Sequence, residues 1–206
     1  MKWVIGSDEA GYGTWAGSLV VAACALPETW EDSSVTDSKK LSHEARVAAV
    51  RRYRKDVPWA VQQVTAEQVD EHGVWDRVIW SHAAVHNKLR VRLLDDGVDG
   101  GDIEHIIDGL QTRAARKKFE GLMMASDFTT MPRADESIPA VSLASCFAKT
   151  GQCILMDKLH EQYPDFGFGK HCGYGTPQHK EALIKHGPIK GVHRFSYSSI
   201  KKLVRR

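Results

Sequence analysis

Cysteine is scarce in this chain, and none of its four copies stands in a CxxC pair. Cys24, Cys146, Cys153 and Cys172 are too scattered for a disulfide framework or a zinc ribbon, so a reducing, cytoplasmic setting fits them best. No run approaches the ~20 apolar residues of a membrane span, and no membrane partner is expected. The opening Met1-Lys2-Trp3-Val4-Ile5 enters a strand-like segment without a secretory leader. A GxSxG elbow, an HExxH zinc helix and a Walker loop are also missing, which removes three large hydrolase classes. What is left has ordinary globular composition, 42% hydrophobic and 26% charged over 206 residues. That length suits one large domain or one with a small appendage.

The net charge of +2 conceals an asymmetry. Residues 166–206 carry nine Lys or Arg against the single acid Glu181, a local charge of +8, which leaves −6 for the first 165. An acidic body with a basic end can hold cations in one place and a polyanion in another. The basic end is also interleaved with Tyr174, Phe195, Tyr197 and several histidines, whereas a solvating tail is poor in aromatics.

Trp3 to Ile5 and Leu19 to Leu26 read as strands, Ser42 to Asp56 as a helix capped by Ser42, and Trp59 to Thr65 as a further strand. Residues 66–94 read as amphipathic helix, Ile103 to Ile107 as a short strand ending at Asp108-Gly109, and 113–118 as a polar stretch. Pro139 to Tyr163 has the spacing of a long helix, weakened at Gly151, and short helices follow between glycine turns. The class expected is α/β with a mixed central sheet flanked by helices, and with a basic helical C-terminal extension. The division expected is a core over 1–165 completed by 166–206 within the same compact unit.

Gly11-x-Gly13-x-x-Ala16 matches a dinucleotide fingerprint on paper. That fingerprint must open a helix, yet these glycines lead into Leu19-Val20-Val21, and Asp8-Glu9 before them would repel a phosphate. The glycines instead allow close backbone approach to something else. Asp8, Glu9, Asp108 and Asp135 all sit at strand ends or a loop-to-helix transition. Singly such acids are caps and turn formers. Converging, they would suit Mg²⁺ or Mn²⁺, two of which can activate water against a phosphodiester. His82 and His86 stand four apart and could share a metal, although a partly exposed helical pair without catalytic role is the simpler reading. His171-Cys172 are adjacent, a poor geometry for a base and its nucleophile.

Ser7-Asp8-Glu9-Ala10-Gly11-Tyr12-Gly13 with Ala16-Gly17 resembles the opening of the type 2 ribonucleases H. Asp37-Ser38-Lys39-Lys40-Leu41-Ser42, Ile106-Ile107-Asp108-Gly109 and Ala144-Ser145 with Ala148-Lys149 resemble that family's next blocks. The longest match spans Tyr163-Pro164 and Phe166 to Thr176, continuing through His179, His186-Gly187-Pro188 and His193 to Ser196. The blocks keep the family's order and cover nearly the whole chain.

The resemblance implies an RNase H-like core and endonucleolytic cleavage of RNA paired with DNA, leaving a 5′-phosphate, with ribonucleotides embedded in DNA as a further substrate. It implies Asp8, Glu9, Asp108 and Asp135 as catalytic and metal-binding acids for two Mg²⁺ or Mn²⁺ ions, with Asp127 the competitor of Asp135. Adjacent strand residues face opposite ways, so Asp8 is expected to bridge the ions and Glu9 to act through a water or a backbone distortion. Gly11, Tyr12, Gly13, Ser38, Lys39, Lys149 and Tyr174 are implied to contact the hybrid, a monomer is expected, and no sliding-clamp-binding tail is visible. Two departures stand out: the family usually has Arg where this chain has Tyr12, and Arg-Asp where it has Gln152-Cys153. The rival readings are an inactive hybrid-binding module and an RNase H-fold nuclease for branched DNA.

Overall fold

A computed structural model describes residues 1–32 and 41–204. Among the described residues five strands form one mixed sheet in the order β3-β2-β1-β4-β5, flanked by helices. The strands are β1 (Trp3–Ala10), β2 (Leu19–Pro27), β3 (Trp59–Val64), β4 (Ile103–Asp108) and β5 (Thr129–Met131). β2 is buried from Leu19 to Leu26, as its unbroken apolar run requires of a central strand covered on both faces. β3 at the edge alternates between exposed and covered positions instead.

The helices are α1 (His43–Tyr53), α2 (Ala66–His72), α3 (Val74–Asp95), α4 (Arg113–Glu120), α5 (Pro139–Gln162), α6 (Phe168–His171), α7 (Pro177–His186) and α8 (Ser198–Val204). Ser42 caps α1 through a bond from Ala45 N, as its sequence position suggests. The continuous helix read over 66–94 is two helices. Thr65 and Gln68 form a capping box at the start of α2, and Gly73 ends it at φ +81°. The polar stretch at 113–118 is helix α4, capped by Thr112, with Phe119 and Ala115 as its buried side.

The chain separates into two compact units. The first comprises 1–9, 21–62 and 78–150; the second comprises 10–20, 63–77 and 151–206. This differs from the division expected at residue 165. The reason lies in the second unit's own core, where Ala16 and Met156 pack with Phe166, Phe168, Leu183, Val192 and Ile200. The C-terminal residues thus share a core with the segment after β1 and with the end of α5.

In the first unit Gly6 lets the start of α5 approach β1. A Cβ there would lie 2.5 Å from Val141 N and 2.6 Å from Ala140 C, both backbone atoms. Gly6→Ala should therefore destabilise the protein by about 1–3 kcal/mol, the usual cost of overpacking. An unchanged urea midpoint would show that the helix start yields freely.

Candidate active site

The register of the parallel pair β1 and β4 brings the first two carboxylates together. Trp3 stands opposite Ile103 and Ser7 opposite Ile107, so the next residues, Asp8 and Asp108, are level on neighbouring strands. Asp135 comes from a 3-10 turn, Ala134–Glu136, immediately before α5. Arg133 enters that turn at φ +55°, and Ala134 N donates to Asp108 Oδ1 at 3.2 Å. One carboxylate oxygen each from Asp8, Asp108 and Asp135 lies within 4.8 Å of the others. Asp135 is buried, whereas Asp127 is exposed and lies outside this cluster.

Crowded, buried carboxylates resist ionisation. Asp8 is pushed up to about 7 by burial first, then by the charges of Glu9 and Asp108, against bonds from Ser145 and from Glu9 N that favour the ionised form. The Glu9 N bond to Asp8 Oδ1 measures 2.8 Å. Three hard oxygen donors at this spacing, one reluctant to ionise beside its neighbours, fit a divalent cation of the Mg²⁺ or Mn²⁺ type. Lys149, half-buried on α5, lowers the pKa of the Cys146 thiol on the same helix. Burial outweighs it and holds that thiol up at about 11, so Cys146 stays protonated.

Glu9 is not in the three-aspartate cluster. Its Oε2 accepts from His82 Nε2 at 3.2 Å. His82 and His86 are fully buried, which corrects the partly exposed pair expected from spacing. They do not stand ready to share a metal, because both bond the Ser7 hydroxyl, at 2.8 Å and 2.7 Å. Four-residue helical spacing announced that these rings share a face; nothing in it announced the strand hydroxyl between them.

The glycine-flanked Tyr12 and Tyr174 belong to the second unit. Gly11 has φ +83°, and a Cβ there would lie 2.9 Å from Ser18 O. Tyr12 is 41% exposed, with its ring edge-on to Trp75 at 6.2 Å. Its carbonyl is held from below by Arg194 Nη1 at 2.9 Å and the Tyr197 hydroxyl at 2.6 Å. Tyr174, half exposed, follows Cys172 and Gly173, both at positive φ, and His179 Nδ1 bonds its carbonyl at 2.9 Å. A Cβ on Gly13 would lie 4.0 Å from the Tyr174 ring. Gln152 and Cys153 both reach the residue before that loop: Gln152 Nε2 donates to Cys172 O at 2.9 Å, and the two sulfurs are 3.7 Å apart. Ser38 and Lys39 lie outside the described residues.

Known proteins share this sequence pattern and this fold over nearly the whole chain. The family model described as Ribonuclease HII matches residues 5–200. A Ribonuclease HII from Hyphomonas neptunium is 33% identical over 208 residues, covering 98% of this chain and 96% of its own. The crystal structure of ribonuclease H2 from Pyrococcus horikoshii OT3 superposes with a TM-score of 0.77 at 20% identity, covering 99% of this chain and 98% of that one. Bst-RNase HIII, solved in complex with Mn²⁺, gives 0.77 at 23% identity over 99% of this chain and 70% of that one. Motif order, sheet topology and near-complete coverage coincide: the chain belongs to the ribonuclease HII family and is a ribonuclease H.

Proposed function

We propose that this ribonuclease H cuts the RNA strand of RNA–DNA hybrids in a divalent-metal-dependent reaction that leaves a 5′-phosphate, with Asp8, Glu9, Asp108 and Asp135 as its catalytic acids. The convergence of Asp8, Asp108 and Asp135 within 4.8 Å carries the reading. Asp8, Asp108 and Asp135 would hold the Mg²⁺ or Mn²⁺, and Glu9 would join them from the neighbouring position on β1. A bound divalent ion lowers the pKa of a water and neutralises charge on the phosphoryl oxygens. The chain's own contribution is placement. Burial fixes Asp8 and Asp135, Ala134 N orients Asp108, and Ser145 favours ionised Asp8.

Hybrid recognition falls to residues that can reach a 2′-hydroxyl or a phosphate. A 2′-hydroxyl is the group that distinguishes RNA from DNA in a shallow minor groove. Gly11 is buried, its carbonyl accepting from Thr14 Oγ1 at 3.0 Å, so backbone approach falls to the exposed Gly13, and the half-exposed ring of Tyr174 offers a surface for a sugar. Lys149 supplies charge for a phosphate, as Ser38 and Lys39 would by their place in the family motif; such contacts give affinity without sequence preference. Tyr12 brings one hydroxyl where Arg would bring a fixed charge, so junction geometry is held less tightly.

Four substrates test the reading: a continuous hybrid, DNA with one embedded ribonucleotide, an all-DNA duplex and an all-DNA four-way junction, each with and without Mn²⁺. The hybrid should be cut only with the ion, and the embedded ribonucleotide about ten- to a hundredfold more slowly, the worth of one charge-assisted hydrogen bond. Cleavage of the hybrid under strict chelation would overturn the metal dependence. Binding without cleavage would favour the inactive module, and cutting of all-DNA four-way junctions the resolvase.

A further inference from the structure

A continuous hydrogen-bonded chain leads to Glu9 through the interior of the first unit. From its far end, His105 Nδ1 meets His86 Nδ1 at 3.0 Å, and His86 Nε2 meets Ser7 Oγ at 2.7 Å. Ser7 Oγ then meets His82 Nδ1 at 2.8 Å, and His82 Nε2 meets Glu9 Oε2 at 3.2 Å. Ser7 and all three rings are fully buried, with Phe119 edge-on against His86 at 6.1 Å.

The polarity of the chain follows from its two ends. An ionised carboxylate only accepts, so His82 Nε2 carries the hydrogen. His82 Nδ1 then accepts from the Ser7 hydroxyl, Ser7 accepts from His86 Nε2–H, and His86 Nδ1 accepts from His105 Nδ1–H. The reverse direction would require an extra proton on His82. It would also turn His105 Nε2, which has no hydrogen-bond partner, into a buried N–H without an acceptor.

We infer that His82 is a positioning residue for Glu9, oriented through Ser7 by His86 and His105 behind it. The inference rests on the proposed metal reading. Alternation along β1 only turns Glu9 away from the face of Asp8; the His82 bond decides where its carboxylate is held. Hydrogen bonds behind a metal's carboxylate or imidazole ligands set their orientation, and losing one typically costs 10–100-fold in metal affinity or activity.

Mn²⁺ alone, titrated into protein without nucleic acid and followed by the electron paramagnetic resonance of the free ion, tests this. Urea unfolding of each variant is measured alongside. His82→Leu removes the donor and should weaken Mn²⁺ binding about tenfold or more, while His82→Gln keeps an N–H for Glu9 and should stay within about threefold of wild type. Ser7→Ala deletes a single oxygen and keeps the question open if His82→Leu does not fold; about threefold weaker binding is expected. Wild-type affinity in His82→Leu, or in Ser7→Ala where the former does not fold, would make the chain purely structural and overturn the inference. Equal losses in His82→Leu and His82→Gln would also overturn it. A wild-type protein that takes up no Mn²⁺ would instead overturn the metal reading itself, and this inference with it.

Discussion

Asp8→Asn should lower cleavage by at least about a thousandfold and, at the same time, make the metal-free protein more stable. The first effect removes one charged oxygen donor from a site whose charge stabilisation is worth several kcal/mol, tenfold in rate for each 1.4. Binding of the hybrid should stay within about tenfold, since the side chain keeps its shape. The second effect follows from a carboxyl raised from 3.8 to about 7 in the folded protein. The folded state holds that proton more tightly than the unfolded chain does, so ionisation opposes folding. The cost is absent below about pH 4, grows between 4 and 7, and is constant above 7. The advantage of Asp8→Asn over wild type in urea should follow that curve, reaching on the order of 2–4 kcal/mol at pH 8. A stability difference that ignores pH would mean Asp8 titrates normally, and cleavage that survives the substitution would remove Asp8 from the site.

Arg194→Ala should be among the most destabilising single substitutions in the second unit, at about 2–5 kcal/mol for a buried carbonyl left unpaired together with a large side chain lost from the interior. The guanidinium is fully buried and forks across two carbonyls: Nε and Nη2 to Gly17 O at 3.2 and 3.1 Å, and Nη1 to Tyr12 O at 2.9 Å. Burial pulls its pKa below the ordinary value, opposed by contact with Tyr197 and by the charge of Asp70. Truncation would strip the buried Gly17 carbonyl of both guanidinium donors, leave the Tyr12 carbonyl with only the Tyr197 hydroxyl, and open a void beside the Tyr197 ring, whose centroid is 5.4 Å from the guanidinium carbon. Arg194→Lys should recover only part of the loss, because a single ammonium cannot span both carbonyls. A urea midpoint lowered by less than the equivalent of about 1 kcal/mol in Arg194→Ala would show that neighbouring groups or water take over these bonds.

Period and punctuation made much of this legible from sequence. The buried run at β2, the Ser42 cap, the strand ending at Asp108 and the long helix from Pro139 all carry local signals, and each stands where those signals place it. β5 did not, being three residues, Thr129–Met131, paired to β4 from outside any apolar run. Asp8, Asp108 and Asp135 were visible as punctuation, but their meeting depends on a parallel register between residues about a hundred apart, which no periodicity encodes. The same limit hid the His82 bond to Glu9 and the reach of Arg194 back to Tyr12 and Gly17. Each joins groups whose partnership exists only after folding. The one trace was compositional: Ser7 is a polar residue inside a buried strand, and Arg194 a charge among aromatics.

The level pairing of Asp8 with Asp108 also sets an order of events. β1 and β4 can zip together only after a loop of roughly ninety residues has closed, and such distant pairings form late and slowly. Their last rungs are the ones that press two anions together, so the ladder meets its opposing force at the end nearest the chemistry. Slipping by one residue would relieve that repulsion, but it would turn every side chain of one strand to the wrong face. The five rungs from Trp3–Ile103 to Ser7–Ile107 thus act as a ratchet, holding in register a junction that its own charges would push apart.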